Sequence, residues 1–401
     1  MRLTPFLFGL LFLSITAFAA GDVFESVDRA LTFSAAQNTF RAKLSGTADL
    51  EWYHVELPAP GLLFTDKKDL FNPRLTLFLD ARWGADLYGF AQVRADNGFD
   101  PNAETKHLRL DEYMLRYRPL HDGTLYVQAG QFSTVIGNWT RRHGSWENPF
   151  IGAPLPYEYV TPICDLSAPK DVETFLNPEP DEKYEYVPIV WGPAYSSGVA
   201  IGGAIGKFDY ACEVKNTAPS SMPESWSIGK TGFSAPTTAA RVGFRPNMRW
   251  NLGLSGSDGA YMLPAASSTF PPGKSRRDYR QRLFGADAEF AWHHLQVWSE
   301  VFESRFDVPG IGTVATRAGY IETKYKFTPA FYGGLRLNRQ TFSSIDFEGR
   351  RVPWARDDSR FDLVGGCRLS ANVQCKLQVS WERQVGGAKQ VNYAAQLTAR
   401  F

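Results

Sequence analysis

Six histidines, His54, His107, His121, His143, His293 and His294, are the residues of this 401-residue chain best suited to acid–base or metal chemistry. None sits in a pattern that such chemistry needs. His143 lies close to Ser145, but no Gly-x-Ser-x-Gly elbow with a partner acid accompanies the pair. His293 and His294 are adjacent between two apolar runs, with no further zinc ligand nearby in sequence. The chain is therefore not expected to be an enzyme. The oxygen-rich run Asp96, Asn97, Asp100, Asn102 and Glu104 could hold calcium, although its spacing matches no EF-hand and the charges could equally be solvated. No other cofactor or metal is indicated. Arg141-Arg142-His143, followed by Ser145-Trp146-Glu147-Asn148-Pro149-Phe150, could hold an anionic or sugar-like solute between guanidinium forks and an aromatic face. The competing expectation is that Trp146, Phe150 and Tyr157 form a hydrophobic anchor for their segment.

Period-two alternation sets the elements that position these residues. Sixteen runs of about ten residues alternate apolar and polar side chains. They are Phe40 to Trp52, Arg74 to Trp83, Leu87 to Asp96, Leu108 to Arg118, Thr124 to Ser133, Gly198 to Gly206, Asp209 to Thr217, and Thr237 to Arg245. The remainder are Trp250 to Asp258, Tyr279 to Trp292, Leu295 to Phe306, Thr316 to Phe327, Phe331 to Phe342, Arg360 to Ala371, Gln374 to Val385, and Gln390 to Phe401. Tight connections alternate with mostly long ones, the longest running from Thr134 to Tyr195. A soluble sandwich or propeller would not explain that sidedness.

The two ends of the chain point the same way. Arg2 precedes an apolar run from Phe6 to Phe18, and Ala17-Phe18-Ala19 fits a signal peptidase site, so residues 1–20 read as an export signal rather than an anchor. Residues 21–39 fall outside the strand pattern. Val23, Val27, Ala30 and Leu31 have helical spacing there, which predicts a short helix or a leader. At the other end, Val391, Tyr393, Ala395, Leu397, Ala399 and Phe401 share one face of an extended strand, and Asn392, Ala394, Gln396, Thr398 and Arg400 the other. This ending resembles the closing strand of Gram-negative outer-membrane β-barrels, in which a C-terminal aromatic, here Phe401 with Tyr393, is the assembly signal read by the barrel-assembly machinery.

Composition agrees with that resemblance. After residue 20 no segment approaches the roughly 20 apolar residues that a spanning helix needs, while aromatics make up 14% of the chain, with 11 Trp, 17 Tyr and 29 Phe. Aromatic girdles would account for them. A mean hydropathy of −0.28 fits strands that give half their side chains to a wet lumen. A net charge of +1 implies no nucleic-acid partner. Cys212, Cys367 and Cys375 fall on apolar strand positions and Cys164 in the longest loop, too scattered for a disulfide framework, though a Cys367–Cys375 bridge across one hairpin is conceivable.

Over most of its mature length the chain resembles the trimeric sixteen-stranded porins. That resemblance implies an all-β transmembrane antiparallel barrel (residues 40–401) with short periplasmic turns, long extracellular loops, and a third loop (134–195) folded into the pore. It also implies a homotrimer in contact with outer-membrane lipids. Arg41, Lys43, Arg74, Arg82, Arg94, Arg116 and Arg118 have the inward parity of the first four strands, whereas the loop carries Glu147, Glu158, Asp165, Asp171, Glu173, Glu179, Asp181, Glu182 and Glu185. The porin family sets a basic wall against an acidic loop; here Arg41, Arg82 and Arg94 are expected at the narrowest part, facing Arg141, Arg142, Glu147, Glu158 and Asp165. The small inward residues Ala200, Gly202, Ala204 and Gly206 predict room for something packed on the wall. The expected function is passive diffusion of small hydrophilic solutes and ions with mild anion preference. Alternatives are a channel selective for phosphate or another oxyanion, or a non-conducting structural or adhesive barrel.

Overall fold

The computed structural model describes residues 26, 29–35, 37, 39–101, 106–178, 183, 185–387 and 389–401. The export signal, Val23 and Val27, and the loop residues Asn102, Glu104, Glu179, Asp181 and Glu182 lie outside them. Among the described residues no helix is long and apolar enough to cross a membrane.

Strands dominate because β-branched, aromatic and leucine side chains alternate with polar ones along each run. In chain order they are β1 Thr32–Ala35, β2 Phe40–His54, β3 Asp69–Trp83, β4 Leu87–Asp96, β5 His107–Tyr117, β6 Tyr126–Phe132, β7 Ser196–Ile205 and β8 Phe208–Lys215. There follow β9 Thr237–Asn247, β10 Trp250–Ala260, β11 Arg280–Trp292, β12 Leu295–Val308, β13 Gly312–Lys326 and β14 Phe331–Phe342. A small hairpin of β15 Ser344–Phe347 and β16 Arg350–Pro353 precedes β17 Asp358–Arg368, β18 Val373–Gln384 and β19 Lys389–Arg400. Each barrel strand pairs antiparallel with its neighbours, and β19 pairs back onto β2, with Leu397 opposite Leu50 and Arg400 opposite Thr47. The sheet of β2–β14 and β17–β19 is a closed sixteen-stranded barrel. Closure leaves no unpaired edge, which is what lets strands sit in hydrocarbon.

The expected strands are all present. Ser26, Arg29 and Ala30 are helical, but Thr32–Ala35 then pairs with Ala42 and its neighbours as an added strand, which the expected helix or leader did not include. The connections at one end are tight, such as Gly84–Asp86 and His293–His294, and most at the other are long. Pro309–Ile311 and the turn after Gln384 are short exceptions at the long-loop end. These ends are called the turn end and the loop end.

Outward positions carry Leu50, Leu79, Leu115, Ile201, Leu254, Val301, Leu337, Leu363 and Leu377, all exposed. Girdles flank this band. Trp83 (64% exposed), Trp250, Trp292, Phe327 and Phe331 ring the turn end, and Trp52, Phe71, Trp381 and Tyr393 the loop end. The Phe401 ring lies over Gly46, where an added Cβ would meet its Cζ at 2.7 Å, and the two backbones exchange hydrogen bonds of 3.0 Å.

The lumen is not uniformly wet. Leu283, Phe302, Phe306, Val314, Ala318 and Tyr320 point inward from β11–β13 and are buried in a hydrophobic core with Ile136, Trp139, Tyr157, Trp191 and Tyr195 of the longest loop. Met222, Trp226, Tyr261 and Met262 from two further loops join them. Much of the aromatic content thus fills the barrel instead of its girdles. The small residues of β7 likewise make room for a neighbouring strand: the Tyr126 ring covers Gly202, and the Lys215 side chain comes close to Gly198.

Candidate functional site

The segment from Thr134 to Tyr195 descends inside the barrel because the far wall offers it buried hydrogen-bond partners. Glu300 of β12 is fully buried and accepts from the backbone N–H of Asn138, from that of Trp139 at 2.7 Å, and from the Tyr157 hydroxyl at 2.5 Å. One carboxylate thereby satisfies the start of a 3-10 turn, Trp139–Arg142, whose own first N–H groups have no helical acceptor. Farther along, Leu155 N–H donates to Asn338 at 3.2 Å and Ile151 N–H to Gln378 at 2.7 Å. Lys376 donates to the carbonyls of Ser145 and Asn148, and Tyr332 to that of Pro149 at 2.8 Å.

An alternating chain of charges reinforces this docking. Arg142 of the loop pairs with Glu322 of β13, which lies 3.5 Å from Arg336 of β14. Arg336 binds Asp362 of β17 at 2.7 Å, Asp362 lies 3.1 Å from Arg360, and Arg360 pairs with Glu158, again of the loop. The chain begins and ends on the inserted segment and is electrically neutral. Buried in this way, each ion has its desolvation offset by a partner, and removing one would strand the next. At its deepest point Trp146 lies beneath the guanidinium of Arg400, 4.2 Å from the ring centre, with Arg368 at 5.4 Å.

With the far half occupied, open space remains against β2–β5. A cavity of about 280 Å³ on the loop side and one of about 700 Å³ on the turn side share four lining residues, Arg74, Arg94, His143 and Ser145. These form the neck. A third cavity of about 530 Å³ at the loop end meets the first at Pro60 and Glu382. On the wall side of the neck, Arg74 binds Glu51 at 2.6 Å and Asp49 at 3.2 Å, and Arg94 binds Asp96 at 2.5 Å. On the loop side, Ser145 donates to Asp49 at 3.0 Å. His143 Nδ1 lies 2.6 Å from the Thr140 carbonyl oxygen and so carries the proton, leaving Nε2 to accept from the Tyr195 hydroxyl at 2.5 Å. Burial, with Arg94 and Arg74 nearby, lowers the His143 pKa to about 4, so the ring is neutral at pH 7.

The residues expected at a constriction are dispersed. Arg94 lines the neck, as does Arg74, but Arg41 and Arg82 stand opposite one another beside Trp83 at the exposed turn-end rim and line neither main cavity. Lys43 lines the turn-side cavity. Arg116 lies over the Tyr126 ring and donates to Gln128 at 2.7 Å, away from both cavities. Arg141 and Glu147 line the turn-side cavity, whereas Arg142 is spent on Glu322. Glu158 faces the loop-side cavity but is held by Arg360. Asp165 is fully buried away from the neck, and burial pushes its pKa up to about 7. Asp171 caps the helix Val172–Leu176, accepting from Thr174 N–H at 2.8 Å.

An acidic loop facing a basic wall is thus not what the chain builds. The acids opposite the loop are wall residues interleaved with arginines, because a carboxylate beside a guanidinium is cheaper to bury than either alone. Asp96, a candidate calcium ligand, accepts from Arg94, Arg109 and the Gly98 N–H; among the described residues no group of three His, Cys, Asp or Glu is placed to hold a metal. The two loop clusters divide: Trp146, Phe150 and Tyr157 anchor, and His143 and Ser145 line the neck. Glu300, Glu322, Arg336, Arg360 and Asp362 escaped sequence reasoning. Charged residues at inward parity on strands distant from the loop were the available signal.

No family model and no curated protein matches the chain. Solved structures do. The chain superimposes on OmpF of Salmonella typhi, solved with daunomycin, with a TM-score of 0.59 at 8% identity, covering 92% of this chain and 100% of that one. It matches the anion-selective porin of Comamonas acidovorans with a TM-score of 0.56 at 10% identity (90% and 100%). The outer-membrane channel DcaP of Acinetobacter baumannii gives 0.55 at 10% (92% and 99%). The fold is that of the sixteen-stranded outer-membrane porins of Gram-negative bacteria. At these identities the likeness is one of fold.

Proposed function

We propose that the chain is an outer-membrane channel passing small hydrophilic solutes and ions by diffusion, with a mild lean toward anions. The observation that carries this reading is the pair of cavities meeting at a neck of two arginines, a neutral histidine and a serine. Solutes would enter between loops at Pro60, cross the loop-side cavity, exchange water for guanidinium donors at Arg74 and Arg94, and leave through the larger turn-side cavity. Charge on the loop-side cavity balances, with Arg74, Arg94, Arg109 and Arg360 against Glu51, Asp111, Glu158 and Glu382. On the turn-side cavity Lys43, Arg74, Arg94, Arg141 and Arg400 outnumber Asp80, Glu112 and Glu147, which favours anions. Ser145 and His143 bond to Asp49 and Tyr195 rather than to each other, which supports permeation over turnover.

Planar-bilayer recording under a potassium chloride gradient tests this. Discrete current steps with a reversal potential of anion-favouring sign are expected. Absence of steps from folded protein would return the chain to the class of sealed barrels. Current that saturates with phosphate would make it an oxyanion-binding channel.

A further inference from the structure

Basic side chains crowd the outer surface of the barrel on one side, at the loop end. Arg280 and Arg282 on β11, Arg305 on β12, Arg317 on β13, Arg339 on β14, Arg383 on β18 and Lys389 on β19 all have outward parity. Each lies in the loop-end half of its strand, beyond an outward apolar residue: Phe284, Val301, Ile321, Leu337, Trp381 and Val391. Cross-strand registers tie them together, with Arg282 opposite Arg305, and Ser359 opposite both Arg339 and Arg383, which is itself opposite Lys389. The corresponding outward positions of β4–β9, among them Val93, Leu108, Leu110, Val199, Val214 and Thr238, carry no charge. From Phe284 to Trp292 the apolar face of β11 spans about 20 Å along the membrane normal at a tilt of roughly 40°. That nearly fills the lipid-facing band of such barrels, so the basic arc begins at headgroup depth.

We infer that this arc binds phosphorylated lipid headgroups of the leaflet at the loop end. Six of its seven cations are arginine, whose planar fork suits phosphate. Four carboxylates, Asp258, Glu303, Asp307 and Asp357, pair with five of the guanidiniums and orient them, and the seven cations still outnumber them. Glu303 accepts from Arg305 at 2.6 Å and from Arg317 at 2.8 Å, yet the Arg317 side chain remains 75% exposed and that of Arg339 57% exposed. Such exposure leaves donors turned outward at the level where phosphates lie. A second copy of the chain fits this face poorly, because copies would bring like-charged arcs together.

The full chain in detergent, with its barrel verified by heat-modifiable gel mobility, is titrated with diphosphorylated lipid A and bound lipid is counted by native mass spectrometry. Arg317→Gln and Arg339→Gln are each expected to weaken binding about fivefold, the effect of one basic residue near an anionic surface. Arg249→Gln, at the turn end, should leave it unchanged, and Arg317→Lys should restore part of the loss. Lipid A stripped of phosphate should bind wild type and variants alike, and weakly. Equal binding of both lipids, or an equal effect of Arg249→Gln, overturns the inference. So does a change of oligomeric state in Arg317→Gln with lipid binding intact, which would make the face a contact between copies. Bilayer current of Arg317→Gln should match wild type, so failure here leaves the channel reading standing.

Discussion

Arg94 and Arg41 share parity and charge but not surroundings, and current selectivity should separate them. Arg94→Gln removes a cation from the neck and is expected to lower the anion-to-cation permeability ratio by roughly twofold, read as a shift in reversal potential. Arg41→Gln, at the open rim where salt screens it, should move that potential far less. Asp165 sets a stability prediction. With its native pKa raised to about 7 from an unfolded value near 4, the folded chain binds the extra proton between those limits. Its contribution is therefore favourable at low pH and is lost as pH rises through about 7. Asp165→Asn should raise the unfolding temperature at pH 8 and leave it nearly unchanged at pH 4, as followed by gel mobility against temperature. His143 acts with the opposite sign, its lowered pKa of about 4 costing stability as pH falls below about 6.5.

The inserted loop and the strands that hold it are tested by different substitutions. Glu300→Ala leaves two backbone N–H groups and a phenol without their acceptor, a loss of about 3 kcal/mol in docking energy. Higher and noisier single-channel conductance is expected, and unchanged conductance would show that the ion chain alone fixes the loop. For strands, the side facing lipid is the sensitive one. Leu335→Asp puts a carboxylate in the apolar band at a cost of about 1–2 kcal/mol and should reduce the folded fraction, whereas Ser45→Asp, on the turn-side cavity, should not. Inward polarity alone does not make a position tolerant. Gln396 donates to Glu51 at 2.7 Å and Asn338 accepts from Leu155 N–H, so aspartate at either would meet a carboxylate or disturb the loop.

For the whole molecule, the face of β4–β9, whose outward strand positions at the loop end carry no charge, is the one that copies could bring together with least repulsion, and a homotrimer is the expected assembly. Current steps should come in groups of three, and a single-step pattern at all concentrations would count against that assembly. The closed barrel was legible in the order of residues, since alternation needs only neighbouring positions and the chain's periodicity fixes which face each side chain takes. Phe40 to Trp52 and Gln390 to Phe401 announced both ends of the seam where β2 meets β19. The neck was not legible. Parity says that Arg41, Arg82 and Arg94 point inward, but depth along the pore depends on the register of sixteen strands and on where Thr134–Tyr195 comes to rest. Nor does alternation reveal that Phe302, Phe306 and Leu283 turn inward onto a loop core, or that Glu300 waits some 160 residues from the amides it binds. Local pattern determined a two-sided ribbon that closes on itself; which charges are spent on docking and which are left facing water was decided only by contacts across the lumen.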